Sequence, residues 1–183
     1  MSFVKLLKTP ILLLLFCAVM LSCVKGVDLD QTEEIALTPD LQVSLLVFDV
    51  TSVDFIDKDT GEFTAIIRDT VRLEFLDDSY IQDDLSTVEF SFRYTNSFPQ
   101  SFRNKISFLS ENDRVQHFLQ FDIAQGEKVN PVVTDWVEFI ENERIDVIKR
   151  SIQMVVEIEV IPNENPFEGE LKFESKGLFS FEF

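Results

Sequence analysis

Val88-Glu89-Phe90-Ser91-Phe92-Arg93-Tyr94 places apolar side chains on alternate residues with polar ones between them. Successive side chains of a strand point to opposite faces. The stretch therefore reads as a strand with Val88, Phe90, Phe92 and Tyr94 on a core and Glu89, Ser91 and Arg93 in water. The same period recurs on both sides. Val71, Leu73 and Phe75 alternate with Arg72 and Glu74, and Met154, Val156, Ile158 and Val160 frame Glu157 and Glu159. Residues 41–50, 62–68, 104–110, 115–123 and 129–134 are further candidate strands. Turn signals separate them: Asp57-Lys58-Asp59-Thr60-Gly61, Asn96-Ser97-Phe98-Pro99, Glu111-Asn112-Asp113, Gln125-Gly126 and Pro162-Asn163-Glu164-Asn165-Pro166. One wet face per strand marks antiparallel sheets. The pattern predicts an all-β antiparallel sandwich of about 7–9 strands.

Two segments need separate treatment. In 141–150, Ile145 and Ile148 share a helical face, acids lead, and Lys149-Arg150 close. Charges of that sense complement a helix dipole, so one short helix is predicted there. At the C-terminus, a hairpin about Lys176-Gly177 would set Phe173 against Ser180 and Leu171 against Glu182, mixing the faces. One strand through 170–183 instead keeps Leu171, Phe173, Phe179, Phe181 and Phe183 together. Gly177 would then mark a bend or bulge.

The chain has 183 residues, enough for one domain and a tail. It carries 16 Lys+Arg against 33 Asp+Glu, a net charge of −17, which argues against nucleic-acid binding. With 19 Phe against 2 Tyr and 1 Trp, its aromatic surface is mostly packing mass.

Residues 1–23 read as an export address. Lys5 and Lys8 form a positive start, and Ile11 to Leu21 is uninterruptedly apolar. That run is too short to span a membrane and fits the apolar region of a secretory signal. Cys17 lies within it. Cys23 is then the one Cys beyond the signal, and is free, intermolecular or modified. Removing residues 1–22 takes away Lys5 and Lys8 and no acid, leaving 14 basic against 33 acidic side chains. Residues 24–40 lack a clear period. They hold Asp28, Asp30, Glu33, Glu34 and Asp40 against Lys25, and read as an acidic tether. Such charge is repelled by anionic lipid.

Candidate chemistry is sparse. His117, the single histidine, lies in Val115, His117, Leu119, Phe121 and Ile123. It is a possible general base, but reads better as an edge residue with one hydrogen bond. One His and no second free Cys exclude His-rich and thiolate metal sites. Asp57 to Glu62 has the look of a calcium loop, but Gly61 stands at position 5 and Arg68 at position 12, so a turn is the better reading. Asp77, Asp78, Asp83 and Asp84 around Tyr80 read as solvated charge. Trp136 beside Val137 and Phe139 reads as core rather than as a sugar platform with Tyr80. The acids are too numerous for any pair to single out a glycoside hydrolase. No catalytic, cofactor-binding or metal-ligating residue is assigned, and no cofactor is expected.

The segment Val19-Met20-Leu21-Ser22-Cys23 resembles the lipobox of bacterial lipoproteins. With the following tether and the Phe-rich β domain, the layout resembles small lipoproteins of Gram-negative bacteria, especially of the Bacteroidota, for which no activity is assigned. VEFSFRYTNSFP, 88–99, is similar to the strand and Asn turn of immunoglobulin-like sandwich domains. The resemblance implies a fatty-acylated Cys23 as membrane anchor, with 1–22 as signal peptide, 23–40 as lipidated Cys and tether, and 41–183 as an immunoglobulin-like domain. Val24 after the Cys, where Asp would favour the inner membrane, implies outer-membrane placement. The expected function is a lipid-anchored, non-enzymatic binding or structural module with a possible envelope protein partner. The alternatives are a carboxylate-based hydrolase and a small outer-membrane β-barrel, the latter suggested by alternating Phe179, Phe181 and Phe183.

Overall fold

A computed structural model describes residues 38–182, so the signal, Cys23, residues 24–37 of the tether and Phe183 lie outside the described residues. Eight strands form: β1 (Asp40–Thr51), β2 (Ile66–Arg72), β3 (Leu85–Asn96), β4 (Ser101–Leu109), β5 (Val115–Ile123), β6 (Val132–Glu141), β7 (Gln153–Ile161) and β8 (Glu170–Phe181). Two short helices interrupt them, α1 (Ser79–Asp84) and α2 (Ile145–Lys149). No helix among the described residues is long and apolar enough to cross a membrane.

The strands divide into two four-stranded antiparallel sheets. Sheet A runs β1-β8-β3-β6 and sheet B runs β2-β7-β4-β5. The sandwich class predicted from the alternation is therefore present. The closed barrel is not, because each sheet ends in two unpaired edges.

The strand order also corrects the immunoglobulin-like expectation. An immunoglobulin sandwich, with strands ABED in one sheet and CFG in the other, keeps half of its sequential pairs beside each other in one sheet. Here the chain changes sheet at every connection except β4 to β5, which is the order of a jelly roll. The motif at 88–99 is a local strand and turn. It holds no information on the distant strands, β8 and β6, that flank β3.

The inner face of β3 organises the core. Val88, Phe90, Phe92 and Tyr94 are at most 1% exposed, while Arg93 between them faces water. Phe90 packs across the sandwich on Phe108 of β4, 4.6 Å between ring centroids, and Tyr94 stacks on Phe173 of β8 at 4.6 Å. A second aromatic group closes one end: Phe55 meets Phe167 at 5.1 Å, and Phe98 stacks on Phe167 at 4.8 Å. The one buried hydroxyl of this face, Tyr94 Oη, donates to Asn104 Oδ1 of sheet B at 2.7 Å. Burial holds that phenol well above its ordinary pKa, so it stays a donor.

Several boundaries differ from the sequence reading. The candidates 62–68 and 71–75 are one strand, Ile66–Arg72. Leu73 leaves the extended region (φ −107, ψ 49), and a 3-10 turn over Glu74–Asp77 turns Leu76 into the core. The period of two continued there by coincidence of residue type. The strand expected at 129–134 starts at Val132 and runs on to Glu141. The helix expected over 141–150 is a 3-10 turn, Asn142–Arg144, followed by α2. The other helix, α1, was not expected.

β8 is one continuous strand, and Gly177 is not a bulge: it pairs in register with Val43 and Phe90. Its missing Cβ makes room instead. A Cβ there would lie 2.6 Å from the Phe179 ring.

Truncating Phe90 to Ala removes a ring held by three others, so it is expected to cost about 3–5 kcal/mol. Glu89→Ala, on the outer face, is expected to cost at most about 0.5 kcal/mol. Denaturant midpoints of the two variants measure the difference, and equal midpoints would contradict the facing assigned to β3.

Candidate functional site

β5 and β6 are consecutive in the chain yet lie at the edges of opposite sheets. Side chains of their inner faces join the two edges. Thr134 Oγ1 accepts from the Ala124 amide at 3.2 Å, Trp136 stacks on Phe121 with centroids 4.8 Å apart and planes at 2°, and Glu138 Oε1 meets His117 Nε2 at 3.1 Å. Arg144, in the turn after β6, donates to the same Glu138 oxygen at 2.8 Å. The seam thus runs from polar through aromatic to ionisable contacts.

His117 is half-buried in this seam, with Phe108 beside its ring at 5.9 Å. Burial lowers its pKa below the ordinary 6.5. The Glu138 charge opposes that lowering, and Arg144 adds to it. No hydroxyl or thiol hydrogen-bonds to His117 among the described residues. The geometry is that of a link between sheets, because a nucleophile–base pair needs such a group within reach.

The outer face of sheet A is organised in rows across the strands. One row sets Glu174, Arg93 and Asp135 side by side on β8, β3 and β6. Arg93 grips Asp135 with two bonds, Nε to Oδ1 at 2.7 Å and Nη2 to Oδ2 at 3.1 Å. The pairing raises the guanidinium pKa and lowers that of the carboxyl. The next row holds Ser44, Lys176, Ser91 and Val137. Its serines are small, and a shallow groove of about 450 Å³ opens there, with Val47, Arg93 and Trp136 among its walls. Sheet B carries a comparable row, Glu159, Arg103 and Asp122, and an Arg68–Glu157 pair.

Among the described residues, β6 carries more exposed large apolar side chains than any other strand. Val133, Trp136, Val137 and Phe139 are 51%, 39%, 56% and 51% exposed. This corrects the reading of Trp136 as core: the residue faces inward and stacks on Phe121, but it sits on an edge strand and stays 39% exposed. The signal was present in VVTDWVEFIE, 132–141, ten residues rich in apolar and β-branched types with no Lys, Arg or Pro.

The other candidate residues are not drawn together. Asp57 Oδ1 accepts from the Asp59 and Thr60 amides at 2.9 and 2.8 Å and from Thr60 Oγ1 at 3.0 Å. These bonds, the Thr60 amide first, lower the Asp57 pKa. Gly61 at φ 71 completes a self-contained turn. Asp77, Asp78, Asp83 and Asp84 fall in and around α1. Among the described residues no group of three or more His, Cys, Asp or Glu is placed to hold a metal ion. Tyr80 belongs to α1 and Trp136 to β6. Cys23 lies outside the described residues.

No family model and no curated protein matches this sequence. Solved structures do resemble it. The VP2 subviral particle of infectious bursal disease virus is 6% identical over 79% of this chain and 33% of that chain, with a TM-score of 0.45. A protein of Parabacteroides distasonis described as secreted is 16% identical over 64% of this chain and 38% of that one, at 0.47. The enzymatically active domain of tailspike protein 4 from bacteriophage CBA120 is 11% identical over 77% and 19%, at 0.39. This chain spans well under half the length of each.

The His117 environment has a pH consequence. A folded-state pKa below the unfolded one means that the unfolded chain takes up the proton first. The stability that His117 contributes is then fully present above the ordinary value of 6.5 and lost as pH falls through it. Between about pH 8 and about pH 5 the stability of the native protein relative to His117→Gln is expected to decline. Chemical denaturation of both proteins across that range measures it. A relative stability that rises in acid would mean that attraction to Glu138 outweighs burial.

Proposed function

We propose that this chain is a lipid-anchored protein of the bacterial cell envelope, held at the outer membrane through Cys23, whose sandwich is a non-enzymatic binding module. Residues 1–22 act as signal peptide, 23–40 as lipidated Cys and tether, and 41–183 as the module. The address supports the first part: Lys5, Lys8, the apolar run from Ile11 and the ending Leu21-Ser22-Cys23. Several acyl chains on one residue hold far more firmly than one, since each buried CH₂ contributes roughly 0.8 kcal/mol. A tether of this length, fully extended at about 3.3–3.6 Å per residue, carries the acidic module clear of lipid headgroups.

The observation that carries the binding reading is the exposed apolar edge of β6. A charged row, Glu174, Arg93 and Asp135, crosses sheet A's outer face, whereas Val133, Val137 and Phe139 lie exposed together on its edge strand, beside the groove. Clustered apolar surface of this kind marks an interaction site.

Two measurements test the proposal. Cys23→Ser is expected to abolish metabolic fatty-acid labelling, and continued labelling would overturn the anchor. A photoreactive residue at Val137 is expected to crosslink an envelope component in cells, while one at Glu157, on sheet B, gives none. Equal yields at the two positions, or none at Val137, would overturn the binding reading.

A further inference from the structure

Of the four sheet edges, three carry devices that discourage a further strand. β1 has a register break between Ser44 and Val47. β2 is only seven residues long and bears Arg68, Asp69 and Arg72. β5 has a register break opposite Phe108 and Leu109. Bulges, short length and charge are the usual protections of an edge. β6 is neither bulged nor short: it runs ten residues in unbroken register with β3 and carries no Lys, Arg or Pro, its charges being the acids Asp135, Glu138 and Glu141. In an antiparallel edge strand, alternate residues turn their N–H and C=O groups away from the partner. Those of β6 are therefore available for a ladder.

The charge rows define what fits. Across sheet A the signs run Glu174 negative, Arg93 positive, Asp135 negative, and the row stops at the edge. The next position completes the alternation with a cation. Glu141, also exposed on the outer face, asks for a second. Val137 and Phe139 lie between the two acids, and Val133 beyond Asp135. Directly opposed residues of neighbouring strands share a face and interact. A second copy of β6 cannot supply this pattern, since its only charges are Asp135, Glu138 and Glu141.

We infer that β6 receives, as the fifth strand of sheet A, an extended segment of another chain that places Lys or Arg opposite Asp135 and Glu141 and apolar side chains opposite Val133, Val137 and Phe139. The inference rests on the binding reading above and names the partner's chemistry. Main-chain bonds give such strand addition its affinity, and alternate side chains give it its specificity.

Trp136 is the only tryptophan in the chain, so its emission reports the edge directly. The full-length protein in neutral detergent is titrated with a nine-residue peptide, Lys-Thr-Val-Thr-Val-Thr-Lys-Thr-Val, which matches β6 antiparallel. Saturable binding is expected. The peptide with Glu for both Lys, and a shuffled peptide of the same composition, are expected to bind at least about tenfold more weakly. N-methylation of one alternate set of peptide amides is expected to abolish binding, and of the other set to spare it. Val137→Lys, checked for an unchanged unfolding midpoint, is expected to weaken the matched peptide at least about tenfold. No binding by the matched peptide, equal binding by the shuffled one, or equal tolerance of both N-methylated forms would overturn the inference. If the peptide fails while Val137 still crosslinks an envelope component in cells, strand addition falls and the binding reading stands. Failure of that crosslink removes the binding reading itself.

Discussion

The fold depends on burying one face of one strand. Phe90, Phe92 and Tyr94 of β3 fill the centre of the sandwich, and rings from two other strands close on them: Phe173 and Phe179 from β8, and Phe108 from β4. Once that face is inward, the period of two fixes the other. Arg93 must point out, its carboxylate partners must stand on the same side, and the charged rows of sheet A follow. The opposite sheet is held by the same rings and by the buried bond from Tyr94 to Asn104.

The alternation made the strands legible. Where one face is dry and the other wet, as in β3, β7 and β8, residue type reports facing almost directly. It failed where apolar residues alternate for other reasons. Leu73 and Phe75 continue the pattern of β2 although the backbone has turned into a 3-10 helix, and Trp136, Val137 and Phe139 look like core because an apolar edge has the composition of a core strand. Sheet order was beyond reach of the pattern. The turn after β3 is local, whereas pairing of β3 with β8 joins residues more than seventy positions apart. Hence the sandwich was readable and the jelly-roll order was not.

The candidate site was legible in parts. His117 could be placed on a largely apolar strand face from its neighbours, but Glu138 and Arg144 come from the following strand and turn, and only the fold brings them to it. The seam that they close with Trp136 and Thr134 joins β5 to β6 at the flank of the sandwich. It steadies the strand whose other side is bare. An edge that is both anchored from within and free of bulges, lysines and prolines presents a straight template, and this links the inner packing to the proposed binding surface.

Amide hydrogen exchange along β3 and β6 tests this account most directly. β3 is paired on both sides, by β8 and β6, so its amides from Val88 to Tyr94 should all exchange slowly. β6 is paired on one side only, so slow and fast amides should alternate along Val132–Glu141. Uniform protection along β6 would mean that its outer edge is already occupied, and uniform rapid exchange that it is not a strand of sheet A. Either result would contradict the open edge on which the functional reading stands.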